Sequence, residues 1–329
     1  MSKLKRMLFS AWQKVPEVFA ESGLGKIPGV LAGYNRLYRF LWPYKTILDV
    51  QGSKMYLNTH DKSPTMRKTF QAYALNRVHE EYTTELFKKV IKKGDIVVDL
   101  GANIGYFTLL AARLVGKKGR VYSFEPEPRN YHYLLKNIEL NNYDNIIAIN
   151  KAVSEKSAKV KLYICPYDSG HHTIKQYKGI EEYRPDFIDN KKDFVEVETV
   201  VLDDFFKKEI KQPIDVIKMD VEGAEMLALS GMDSLIKESK NLKIFVEFFP
   251  LLIREMGNSP EEFIRRLLED YHFSIFVIGG DYSMHNYAPG KQYPEVNSVK
   301  DLMSLCQGKT DHLNLFLERN SKKNDERCH

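Results

Sequence analysis

The run Asp95-Ile96-Val97-Val98-Asp99-Leu100-Gly101-Ala102-Asn103-Ile104-Gly105-Tyr106 constrains the fold more than any other stretch of the 329-residue chain. Its mostly apolar start reads as a buried strand, its two glycines as a tight turn, and the pattern from Tyr106 to Val115 as a helix. A strand that feeds a helix through such a turn is the first unit of a doubly wound sheet, which binds ligands at the carboxyl ends of its strands. The alternation then continues. A helix over 80–91 precedes the strand 96–100, followed by strand 120–124, helix 129–140 and strand 146–150. β-rich stretches at 159–164 and 194–200 lead to helix 203–209, strand 214–219, helix 224–237 and strand 243–248. Ser259 and Pro260 predict the start of a helix over 260–271. Two late strands, 273–278 and 314–317, flank a long segment rich in Tyr, Pro, Gly and Asn. Strands and helices in alternation imply a mostly parallel sheet covered on both faces.

The glycine turn also restricts the ligand. Its spacing is G-x-x-x-G, whereas a dinucleotide fold carries G-x-G-x-x-G to cradle a pyrophosphate. S-adenosylmethionine has no phosphate, but it carries an ammonium, a carboxylate and a sulfonium. Asp99 suits its cationic part, and a helix N-terminus suits its carboxylate. The second strand ends in Phe124-Glu125-Pro126, and an acid there is placed to accept both ribose hydroxyls. The expected cofactor contacts are Asp99, Gly101, Ala102, Asn103, Gly105, Tyr106, Glu125, Pro126 and Ala152.

A second strand delivers acids to the same edge in Met219-Asp220-Val221-Glu222-Gly223-Ala224-Glu225. Asp220 and Glu222 are the candidates for positioning an acceptor and removing its proton, with plain capping of the helix start by Glu222 and Glu225 as the competing reading. The same pair suits a hard divalent cation, but no third ligand stands at helpful spacing, so no metal ligands are assigned. Between 164 and 194 the chain carries Ser169-Gly170-His171-His172-Thr173. His172 is the candidate base from this loop, and an exposed, idle histidine pair is the alternative.

The chain carries a net charge of +5, and residues 1–46 hold eight basic residues against two acidic ones. The remainder is close to neutral, which argues against a nucleic-acid partner. Leu4, Leu8, Trp12, Val15 and Phe19 recur at helical spacing in this arm. It therefore reads as a surface that packs on its own domain or a twin subunit, or as a peripheral anchor on an anionic membrane. Cys165, Cys306 and Cys328 are odd in number and widely separated, as expected in a reducing cytoplasm. No apolar run is long enough to span a bilayer. The expected organisation is a basic, helical extension over 1–75, a Rossmann-like domain over 76–320 and a polar tail over 321–329.

The stretches VVDLGANIGYFTLLAARL, FEPEPRNYHYLLKNI, SGHHT, VETVVLDDFF, IDVIKMDVEGAEMLALSGM and IFVEFFP run in order between about residues 90 and 250. In these the chain resembles the FkbM family of methyltransferases. The resemblance implies a seven-stranded class I methyltransferase sheet with a late antiparallel hairpin. It also implies S-adenosylmethionine as cofactor and a hydroxyl acceptor on a sugar, glycan, glycolipid or natural product. Asp99, Gly101, Asn103, Gly105 and Glu125 fall on the family's cofactor positions, and Asp220, Glu222 and Glu225 on its acidic signature. A nucleic-acid methyltransferase and a non-catalytic cofactor-binding scaffold are the alternatives.

Overall fold

A computed structural model describes residues 33, 36, 46–58, 70, 73, 78–165, 170–175, 193–209, 212–279, 281, 293–308 and 311–319. The chain divides into two units, residues 1–79 and 80–329. In the first, β1 (Thr46–Val50) and β2 (Ser53–Leu57) pair as an antiparallel hairpin. Its turn residues Gln51 and Gly52 have φ of 54° and 80°, the signs that a two-residue hairpin loop requires. Over this stretch a hairpin stands where the extension was expected to be helical. The helical spacing at residues 4–19, with the membrane-anchor and twin-subunit readings built on the arm, lies outside the described residues, as does the tail 321–329.

The second unit opens with α1 (Glu81–Val90), β3 (Ile96–Leu100), α2 (Tyr106–Val115), β4 (Arg120–Phe124), α3 (Pro128–Glu139) and β5 (Ile146–Ile149). A separate three-stranded sheet follows, built from β6 (Ala152–Val153), β7 (Lys159–Tyr163) and β8 (Phe194–Val200). The alternation resumes through α4 (Leu202–Glu209), β9 (Val216–Met219), α5 (Glu225–Ser230), α6 (Asp233–Glu238) and β10 (Lys243–Phe248). Then come α7 (Pro250–Glu255), α8 (Pro260–Arg265), β11 (Phe273–Ile278), β12 (Glu295–Val296), α9 (Val299–Leu305) and β13 (Leu313–Arg319).

The main sheet has the order β12-β11-β13-β10-β9-β3-β4-β5. The five strands from β10 to β5 are parallel, while β13 runs antiparallel to both β10 and β11. This is the expected seven-stranded layout with the two-residue β12 added as an eighth, edge strand. The chain leaves β3 toward β4 and returns on its other side at β9, so the β3–β9 crevice is the switch point where such sheets bind ligands. Every residue of β3 and β9 is buried, because helices cover both faces. On one face Val98, Leu100, Phe124, Ile217, Met219, Val246 and Phe248 join the main core with Phe206 of α4 and Leu229 of α5. On the other, Phe87 of α1 packs edge-on against Phe107 of α2 and Phe245 of β10.

Two local differences from the sequence reading have physical causes. The helix expected over 224–237 is broken at Gly231, where a Cβ would lie 2.3 Å from the Ser154 carbonyl oxygen. In the long segment before β13, Ser298 Oγ accepts from the Asp301 N–H at 3.1 Å and starts α9.

Candidate active site

The register of the main sheet builds the site. Asp99 pairs with Lys218 and with Ser123, and Lys218 pairs with Phe245, forming one transverse row on the α1–α2 face. Side chains alternate along a strand, so the residues two positions further on share that face. They are Glu125, Gly101, Asp220 and Glu247, and Asn314 stands opposite Glu247 on β13. One row at the carboxyl rim therefore gathers positions from five neighbouring strands, polar side chains from four of them and Gly101 from β3. The Gly101 N–H to Phe124 and Asp220 N–H to Leu100 backbone bonds, at 2.9 and 3.0 Å, extend the ladder to this row.

At the Glu125 end, the carboxylate is buried and accepts the Asn103 N–H at 2.7 Å and the Glu127 N–H at 2.9 Å. Burial pushes its carboxyl up to about 8, with those two backbone donors pulling the other way. Asn103 has φ +48°, and its Oδ1 is buried and accepts no hydrogen bond. Gly105 has φ +98° as the N-cap of α2, and a Cβ there would lie 2.7 Å from Leu134 of α3. Ala102 and Tyr106 are buried, and the Tyr106 hydroxyl lies 3.2 Å from Thr84 Oγ1. Pro126 is half-buried, and its carbonyl accepts from the Asn150 amide at 3.0 Å. Ala152 sits in β6, paired with Thr199 of the smaller sheet.

Asp99 lies one row deeper. It is buried and accepts from Thr108 Oγ1 at 2.5 Å. Burial raises its carboxyl to about 6, against the Thr108 hydroxyl and the Lys218 charge. Beside it, Lys218 is 2% exposed, with Nζ 3.2 Å from Asp220 Oδ2 and 5.0 Å from the Phe107 ring centroid. Burial works against this ammonium, but Asp220, Glu80, Glu247 and Asp99 outweigh it and hold the proton more firmly than usual.

At the acidic turn, Glu222 is buried with φ +52°. Glu225 is 1% exposed; its Oε1 accepts the Gly223 N–H at 3.1 Å, while Oε2 is buried without a donor. Burial pushes Glu225 up to about 7. A third carboxylate that the sequence reading did not find is Glu247: carboxylate oxygens of Asp220, Glu222 and Glu247 lie within 4.8 Å of one another. Burial pushes the Glu247 carboxyl well up, and Asp220, Glu222 and Glu80 add to it.

His172 has a different environment. Its Nδ1 accepts the Cys165 N–H at 3.0 Å at the neck of the loop, beside the Tyr163–Thr173 bridge. A neutral ring bonded this way carries its proton on Nε2 and presents a donor there. His171 is exposed.

Sequence reasoning missed four residues of this rim. Lys218 was signalled by a charge inside a strand otherwise apolar on both faces, and Glu247 by an acid near the end of the adjacent apolar strand. Asn314 and Glu80, joined by an Nδ2-to-Oε2 bond of 3.0 Å across 234 positions, had no local signal.

A Methyltransferase FkbM domain model matches residues 99–275, which contain both turns. Methyltransferase 1 of Beauveria bassiana is 30% identical over 146 residues, covering 42% of this chain and 58% of that protein. Methyltransferase sdnD of Sordaria araneosa is 25% identical over 232 residues, covering 62% of this chain and 85% of that protein. A tRNA(Phe) (4-demethylwyosine(37)-C(7)) aminocarboxypropyltransferase of Methanocaldococcus jannaschii is 43% identical over 60 residues, covering 18% of this chain and 24% of that protein. The chain thus spans little more than half the length of the first of these relatives and about a quarter of the last.

Proposed function

Because the chain belongs to the FkbM methyltransferase family, we propose that it methylates a hydroxyl of a sugar, glycan, glycolipid or natural-product acceptor, with S-adenosylmethionine as donor. The observation that carries this reading is the single row at the carboxyl rim. Glu125 and Gly101, suited to a nucleoside, run directly into Asp220 and Glu247, suited to a hydroxyl.

The residues present fit the cofactor. Asn103 Oδ1 is a buried acceptor in need of a donor, and Glu125 keeps lone pairs beyond its two backbone bonds. Glu125 and Asn103 would hold the ribose and neighbouring polar groups, with the Gly101–Gly105 turn leaving the backbone close to them. Bound there, S-adenosylmethionine supplies a methyl group activated by a sulfonium.

The chain's own contribution is positional and electrostatic. Asp220 and Glu222 orient the acceptor hydroxyl, and a carboxylate of this pair receives its proton as the oxygen becomes a nucleophile. The Lys218 ammonium holds Asp220 in place at 3.2 Å. His172 serves the loop neck through its bond from Cys165, and the base function falls to the carboxylates.

Sequence reasoning expected no nucleic-acid partner. The archaeal relative named for tRNA modification removes the ground for that exclusion, and the test below separates the acceptors. No helix among the described residues is long and apolar enough to cross a membrane.

The test is methyl transfer from tritiated S-adenosylmethionine into fractionated lipid, glycan, small-molecule, protein and nucleic-acid pools. Label in the hydroxyl-bearing pools that falls at least about a hundredfold with Asp220→Asn is expected. Label confined to nucleic acid, or no binding of the cofactor by calorimetry, overturns the proposal.

A further inference from the structure

We propose that the rim at the ends of β9, β10 and β13 binds a hard divalent cation through Asp220, Glu222 and Glu247, with Asn314 Oδ1 as a fourth oxygen. Oxygens on opposite sides of an ion with bonds of about 2.4 Å stand about 4.8 Å apart. The three carboxylates meet that limit without rearrangement, since their ligating atoms all lie within 4.8 Å of one another. They come from two adjacent parallel strand ends and a left-handed turn, so the cluster is assembled by the sheet rather than by one flexible loop.

An independent observation comes from β13. Asn314 is directly opposite Glu247, so the two side chains share a face of the sheet. It is 2% exposed, and its Nδ2 donates to Glu80 Oε2 at 3.0 Å. The other end of this amide, Oδ1, is buried and accepts no hydrogen bond. A buried carbonyl oxygen with no donor is costly in a folded protein, and a cation is one partner that a rim of acceptors can share.

Charge balance points the same way. The Lys218 ammonium lies 3.2 Å from Asp220 Oδ2, and the carboxylates of Glu222 and Glu247 meet Asp220 beside it. This one ammonium engages a single oxygen of the cluster, Asp220 Oδ2. The ligand set is all oxygen, which selects ions of the Mg²⁺, Mn²⁺ or Ca²⁺ type over thiophilic metals.

The chemical use of such an ion rests on the methyl-transfer reading: it orients the acceptor hydroxyl and makes its proton more acidic. The site itself does not depend on that reading, and the experiment keeps the two apart. Mn²⁺ binding to the full-length protein is followed by loss of the free-ion electron paramagnetic resonance signal, with cofactor affinity measured by calorimetry on the same samples. We expect one Mn²⁺ per chain in the micromolar to sub-millimolar range. Glu247→Gln should weaken it at least tenfold, and Asn314→Asp should tighten it, both with cofactor affinity unchanged within threefold. If Glu247→Gln fails to fold, the Asn314→Asp shift decides. Protein that binds S-adenosylmethionine but not Mn²⁺, or binds Mn²⁺ equally well in both variants, overturns the cation site. Mn²⁺ binding without cofactor binding leaves the site standing and overturns the methyl-transfer reading instead.

Discussion

Gly101 touches the backbone of Asp220 so closely that a Cβ added at Gly101 would lie 1.8 Å from the Asp220 carbonyl oxygen. The two turns at the rim are thus locked against each other by main chain. Neither can shift without carrying the other, and the Asp220 N–H to Leu100 carbonyl bond of 3.0 Å closes the join from below.

Gly101→Ala should therefore act on both halves of the site. The new methyl meets backbone, which cannot swing away, and φ of +82° adds strain. The expected cost is about 2–4 kcal/mol of stability, with cofactor affinity and Asp220-dependent turnover falling together. Chemical denaturation and calorimetry measure both. An Ala variant with wild-type cofactor affinity would contradict the contact.

Lys218→Met should destabilise the fold by roughly 3 kcal/mol at pH 8, because it strips a buried ammonium from four surrounding carboxylates. The loss should shrink toward pH 5. Without the ammonium the carboxyls of Asp99 and Glu247, already raised by burial, rise further, so the folded form is favoured when they are protonated and penalised as pH climbs through their folded values. Urea titrations at the two pH values test this; a pH-independent loss would point to packing alone.

The pH dependence carried by Glu225 can be isolated with Glu225→Gln. Its carboxyl is raised from 4.5 to about 7, mainly by burial, so its effect on stability is most favourable below 4.5 and is lost as pH rises through about 7. Between pH 4.5 and 8 the wild type should lose on the order of 2–3 kcal/mol relative to the Gln variant. Parallel unfolding curves across that window would show that Glu225 does not titrate there.

Strain and chemistry separate at Glu222, which occupies φ +52° in the middle of the acidic turn. Glu222→Gly should be about 1 kcal/mol more stable than Glu222→Ala, because only glycine adopts this region without a steric penalty. Both should lose methyl transfer by about a hundredfold. Equal stability of the two variants, or retained turnover in either, would refute the assignment.

At the loop neck, His172→Asn can reproduce an acceptor where Nδ1 stands and keep the 3.0 Å bond from the Cys165 N–H. We expect kcat within about threefold of wild type for Asn and a larger loss for His172→Leu. A hundredfold fall in the Asn variant, with the acidic limb lost from its pH–rate profile, would return the base function to this imidazole.

Local pattern made most of the framework legible. The apolar runs of β3 and β9 and the glycine turn after β3 announce a parallel sheet with a binding edge, since burial on both faces leaves no room for alternation. Asp99, Gly101, Glu125, Asp220 and Glu222 were readable because each lies within three residues of the end of a mostly apolar strand. The same logic failed for the helix over 224–237: nothing local tells that Gly231 must lie against the Ser154 carbonyl oxygen.

The sequence alone determined which residues reach the rim, because strand length and hydrophobic pattern decide where each strand stops. Which of them meet was decided only by the tertiary structure. Strand order places β10 beside β9 and slots β13, the last of the described strands, against β10, bringing Asn314 opposite Glu247 and within reach of Glu80. Lys218 is tolerated in a buried strand because carboxylates from distant segments surround it. Such charge compensation is a property of the assembled sheet, and no window of neighbouring residues contains it.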